Sequence, residues 1–142
     1  MLLIHAAATL FMVGVIWFVQ VVHYPLFGLV GQERIGVYAG RNQRLTTCLL
    51  AVPMVAELVT TIILAERSAA GPGRALAWAG LVLLAVIWLS TAALQFPQHL
   101  RLRRGFDARV QRRLVLSNWV RTMAWTARGI IAMVMIAPCV AA

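Results

Sequence analysis

Four apolar stretches separated by short polar segments set the pattern of this chain. No charge occurs between Met1 and Gln32, and Glu33 is the first charged residue. Leu45–Ala65 carries a single charge, Glu57, while Ala75–Leu100 carries none, and beyond Arg128 the chain runs uncharged to Ala142. A helix needs about 20 apolar residues to cross a hydrocarbon core of about 30 Å. The pattern therefore predicts four transmembrane helices, at about residues 2–22, 45–65, 75–96 and 114–137, in one all-α domain covering 1–142. In lipid every backbone group must be paired, and no stretch shows the ten-residue alternation of a barrel strand. Short links make the expected arrangement an up-down-up-down bundle.

Local signals refine these bounds. The first helix can bend at Pro25 and continue through Phe27, and Glu33–Tyr38 suits a short surface helix in the glycine-interrupted segment that follows. Pro53 removes one hydrogen bond inside the second helix. Gly71-Pro72-Gly73 marks a tight turn within Ser68–Arg74, Pro97 is expected to end the third helix, and Asp107 is placed to cap the fourth. Leu2–Val22 has no basic flank ahead of it and no small-residue cleavage site after it, so it is expected to remain as a span.

Composition agrees: 62% of residues are hydrophobic and mean hydropathy is +0.85, which excludes an ordinary soluble fold. The net charge of +9 suggests nucleic acid in a soluble protein, but here its placement follows the membrane. All basic residues are Arg. Six of them, Arg101, Arg103, Arg104, Arg109, Arg112 and Arg113, crowd the segment before the fourth span. Arg34, Arg41 and Arg44 follow the first span, while the opposite side has only Glu66, Arg67 and Arg74. The positive-inside rule puts residues 28–44 and 97–113 in the cytoplasm and both termini outside, as a multi-pass protein of the inner (cytoplasmic) membrane. Arg101–Arg113 is then expected to grip anionic lipid headgroups, with other membrane subunits as further partners and no role for nucleic acid. Cys48 and Cys139 fall near opposite faces, too far apart for a disulfide.

Charges at bilayer depth are costly and mark candidate sites. Asn118, Arg121, Trp125 and Arg128 recur at i, i+3, i+7 and i+10, within about 80° of one helix face, so the stripe must face the bundle or a wet cavity. Arg121 can alternatively snorkel to the headgroups. Glu57 and Arg128 lie level to within a turn, and mutual neutralisation is the cheapest way to keep both, whether for chemistry or for helix register alone. His23, Gln95 and His99 lie at similar depth, where they can converge with Arg121 and Asn118. Two His on facing helices are the weak candidates for a haem or a metal, so the cofactor stays unknown. The chain has no His-x₃-His or Glu-x-x-His pattern, which favours hydrogen-bonded interfacial histidines. It also lacks a P-loop, G-x-G-x-x-G, G-x-S-x-G or C-x-x-C, so nucleotide, triad and dithiol chemistry have no support.

Three pieces in order resemble the anthrone-oxygenase-like family of small four-helix membrane proteins. They are Val21-Val22-His23-Tyr24-Pro25-Leu26, Leu94-Gln95-Phe96-Pro97-Gln98-His99, and the Asn-x-x-Arg-Thr of Asn118 to Thr122. Characterised members look like oxygenases of lipophilic polycyclic phenols. The resemblance implies that Asn118 and Arg121 line the site.

The residues together suggest a polar pocket, open toward the cytoplasmic leaflet, for a lipophilic aromatic or quinone-like molecule, with its oxidation as a further option. Whether the protein is an enzyme stays open at this point. Arg121 and Asn118 would hold the oxygens, Trp17 and Trp125 would stack, and His23 or Glu57 would move a proton as the catalytic group. Gln20, Gln95 and Arg128 complete the expected binding set. The alternative is a non-catalytic accessory or assembly subunit of a larger membrane complex.

Overall fold

The computed structural model describes residues 1–68 and 71–140, with side chains through Pro138. These residues form four long helices and no strand. α1 covers Leu2–Leu29, α2 Ile35–Arg67 and α3 Pro72–Leu102, and α4 covers Ala108–Val140. Each is long and apolar enough to cross a membrane, and the chain is a polytopic membrane protein. Each helix packs on its neighbours in sequence, and α4 closes the ring on α1. Leu3, Ile4, Val52, Val82, Leu89 and Ile130 lie exposed on the outer faces, as a lipid-facing surface requires.

Two boundaries differ from expectation, the start of α2 and the end of α3, while α1 continues past Pro25 as expected. α2 begins at Ile35 rather than near Leu45, absorbing the expected surface helix and most of the loop. Gly36 does not break the helix; it lets α2 cross the end of α3. A Cβ there would come within 2.7 Å of the Arg103 carbonyl oxygen, so only glycine permits this approach.

α1 runs past Pro25 and α3 past Pro97, each by way of a wide π-turn, Val19–His23 and Thr91–Gln95. In a regular helix Pro25 would press on the Val21 carbonyl and Pro97 on that of Ala93. The wide turns make room: the Tyr24 N–H donates to the Val19 carbonyl, and the Phe96 N–H to that of Thr91. The third helix therefore reaches Leu102 instead of ending at Pro97.

Other local expectations hold. α2 passes through Pro53 unbroken. Asp107 Oδ1 accepts the backbone N–H groups of Arg109 at 2.7 Å and Val110 at 3.4 Å, capping α4. Cys48 is free and exposed. The Cys139 side chain, and residues 69–70 of the Ser68–Arg74 turn, lie outside the described residues.

Two apolar layers divide the interior. Met12, Ile16, Leu50, Leu84, Ile87 and Trp125 fill the middle. Tyr24, Phe27, Ile35, Leu102, Val110 and Leu114 close the end of the bundle that carries the Arg-rich links, called here the basic end. Lipid tails are as apolar as these side chains, so close packing and interhelical hydrogen bonds must hold the helices together. The polar residues that supply those bonds are sorted by the two layers.

Candidate functional site

Beyond the middle layer, toward the chain termini, Glu57 and Arg128 meet. Arg128 Nη2 lies 2.7 Å and Nε 2.9 Å from the same oxygen, Glu57 Oε1. Thr9 donates to that oxygen too, at 2.8 Å. Arg128 also donates to Thr61 Oγ1 at 3.0 Å and to the Gly80 carbonyl. The knot thus ties α1, α2, α3 and α4 at one level. His5 sits beside it, its Nδ1 3.0 Å from Thr60 Oγ1. The Arg128 guanidinium lies 5.7 Å from the Trp125 ring centroid, a cation–π contact.

Between the two layers lies a second, separate polar region around a cavity of about 390 Å³. All four helices line it. α1 contributes Val19, His23 and Tyr24; α2 contributes Asn42, Gln43, Thr46, Leu50 and Met54; α3 contributes Trp88, Thr91, Gln95 and His99; and α4 contributes Arg121. His23 and Gln95 are the last residues of the two π-turns, each two positions before its proline. The same local device therefore sets both side chains at the cavity wall.

Hydrogen bonds hold several of these groups. Tyr24 is buried, and its hydroxyl lies 3.0 Å from His99 Nε2. Gln95 accepts from Ser90 Oγ at 3.1 Å and donates to Ser117 Oγ at 3.2 Å. His23 packs edge-on against Phe27 at 5.1 Å, and Phe27 against Tyr38 at 5.4 Å, forming an aromatic floor at the basic end.

Other groups at the cavity are left over. His23 Nε2, Gln43 Oε1, His99 Nδ1 and Arg121 Nε are buried without a hydrogen-bond partner, and all four belong to lining residues. No Asp or Glu is among the lining residues, so no carboxylate at the cavity offsets the Arg121 charge. A buried polar atom without a partner costs about 1–3 kcal/mol. Four such atoms belong to the residues around this one void.

Of the expected site residues, the structure brings His23, Gln95, His99 and Arg121 together at this cavity. Asn118 and Gln20 stand behind Arg121 on the α1–α4 seam. Asn118 Nδ2 donates to Gln20 Oε1 at 2.9 Å, and Gln20 Nε2 donates to the Val115 carbonyl at 3.1 Å. Trp125 is buried in the middle layer. Trp17 lies on the lipid side, donating to Thr126 Oγ1 at 3.1 Å and meeting Trp119 edge-on at 5.7 Å. Neither Trp lines the cavity. Glu57 and Arg128 are across the apolar layer from it, and the cavity itself is bounded by all four helices.

His23 and His99 share the cavity wall, yet no group of three or more His, Cys, Asp and Glu side chains gathers within reach of one metal ion among the described residues. Sequence reasoning missed Tyr24, Asn42, Gln43, Thr46 and Thr91. The shared order of polar residue, aromatic residue and proline in His23-Tyr24-Pro25 and Gln95-Phe96-Pro97 was the available signal for Tyr24. Asn42 and Gln43 were hidden because α2 was expected to start too late, and Thr46 stood at the very start of the expected helix. Comparison with known proteins gives no match: no family model, curated protein or solved structure matches the chain.

Proposed function

We propose that this protein binds a lipophilic aromatic or quinone-like molecule in the cavity lined by His23, Gln43, His99 and Arg121. The observation that carries this reading is the convergence of four unpartnered buried polar atoms on one void whose other walls include Val19, Leu50, Met54 and Trp88. A ring fits between the apolar walls. The Arg121 guanidinium donates to a ring oxygen, strengthened because its charge has no carboxylate at the cavity. Gln43 Oε1 accepts from a hydroxyl. His23 and His99 each present a ring nitrogen able to take or give a proton, as phenol and quinol chemistry requires. His23 is thus the proton-handling residue, and Glu57, held by Arg128 outside the cavity, is not.

Binding and proton handling are what these side chains supply. The oxidation implied by the resemblance to anthrone-oxygenase-like proteins would draw its electron acceptor from elsewhere. Asn118 then serves by fixing Gln20 behind Arg121. The Arg-rich links favour a basic end facing the cytoplasm across a cytoplasmic membrane. An absorption spectrum and organic extract of the protein purified from its own membranes test the reading. A co-purified aromatic or quinone chromophore is expected. A Soret band, or an extract holding only bilayer lipid, would contradict it.

A further inference from the structure

The cavity is not sealed from the bilayer. A groove of about 490 Å³ runs along the outside of the α1–α2 seam and shares Val19, His23, Asn42, Thr46 and Leu50 with the cavity. Away from those shared residues it is wholly apolar, with Leu10, Phe11, Gly14, Val15 and Phe18 on one wall and Leu49 on the other. Gly14 opens the groove: a Cβ placed there would meet nothing within 4 Å. From Leu10 to His23 the rise along a helix is about 20 Å. One end of this trough is therefore lipid-facing and hydrocarbon-like, and the other end opens on the cavity where His23 Nε2, His99 Nδ1 and Arg121 Nε have no partner.

We propose that the ligand is a tailed amphiphile whose polar ring occupies the cavity while a linear apolar chain lies in the α1–α2 groove. This rests on the binding assignment above and adds the ligand's shape and its way in. A cavity of about 390 Å³ is the size of a small-molecule site and holds a compact ring. The groove gives the chain a continuous apolar path out of the cavity, past Val19 and Leu50. Asn42 and His23 stand at the junction, where the ring oxygens pass from trough to cavity. Such a molecule reaches its site sideways from the membrane, without crossing the Arg-rich surface.

The test uses the full chain in phosphatidylcholine nanodiscs and two quinones with the same ring, one bearing a decyl chain and one a methyl group. Binding is read by quenching of tryptophan fluorescence, with Trp88 in the cavity wall, at ligand-to-lipid ratios that cancel partitioning. The wild type is expected to hold the decyl quinone several-fold tighter. Gly14→Phe, which fills open space, should erase that preference and leave methyl-quinone binding unchanged. Leu49→Trp, on the opposite wall and also lipid-exposed, should do the same. An unchanged decyl preference in both variants would overturn the tail assignment alone and leave the groove to a bilayer acyl chain. No binding of either quinone by the wild type would overturn both the tail and the ring site.

Discussion

The Tyr24 hydroxyl lies 3.0 Å from His99 Nε2, joining α1 to α3 at the floor of the cavity. The two residues flank prolines in helices that run the same way through the bundle. With the hydroxyl donating, the imidazole proton sits on Nδ1, the nitrogen that has no partner in the protein. In the proposed site, a donating Tyr24 hydroxyl would set which way His99 faces the ligand.

Replacing Tyr24 with Phe should keep the fold, because the ring packing with Phe27 remains. It should weaken binding of an oxygen-bearing aromatic ligand by about 0.5–1.5 kcal/mol, the worth of one ordinary hydrogen bond. Titration of wild type and Tyr24→Phe with the same quinone checks this. An unaltered affinity would remove His99 from the site.

The Glu57–Arg128 knot is a fastening, and its loss should be felt in stability. Breaking one side of a buried pair costs about 3–5 kcal/mol, since the survivor stays uncompensated. Glu57→Gln and Arg128→Gln should each lower the thermal midpoint in detergent, and the double variant should recover much of the loss. Because neither residue lines the cavity, the double variant should still bind ligand. Strictly additive losses would contradict the pairing.

Sequence reasoning reached the class of fold because lipid leaves so few options: charge-free stretches of sufficient length have to be helices. It also reached the Glu57–Arg128 contact, since two opposite charges at one depth have no cheaper arrangement. It placed Arg121 and Asn118 on one face correctly, but could not separate a side chain lining a void from one tied to its neighbour. The Asn118 amide N–H is tied to Gln20, and only packing across the α1–α4 seam reveals that. The prolines misled in one helix, since a proline reads as a terminus unless the turn before it widens. That choice depends on tertiary packing around Gln95 and His23.

Gly36 carries a test of the close crossing between α2 and α3. Its Cβ would strike the Arg103 carbonyl, which is backbone and has little room to yield. Gly36→Val should destabilise the bundle by about 1–3 kcal/mol, as overpacking does. Thermal unfolding in detergent measures it, and a neutral result would show that α2 and α3 do not meet there.

The placement of the Arg residues predicts an orientation. Reporters attached at Gly71 and at Gly105 should give external and cytoplasmic signals respectively. The reverse pattern would invert the bundle and with it the leaflet from which the cavity is reached.

Arg121 tests the account most directly, since it is the one charge at the cavity and has no carboxylate partner there. The measurement is the quinone Kd of wild type and Arg121→Gln in nanodiscs, with the Glu57→Gln, Arg128→Gln double variant as the control. A hydrogen bond to a charged group is worth about 1.5–3 kcal/mol, so Kd should rise by about 10- to 100-fold in Arg121→Gln. The control should bind as the wild type does. An unchanged Kd in Arg121→Gln, or a loss confined to the control, would contradict a ligand site at this cavity.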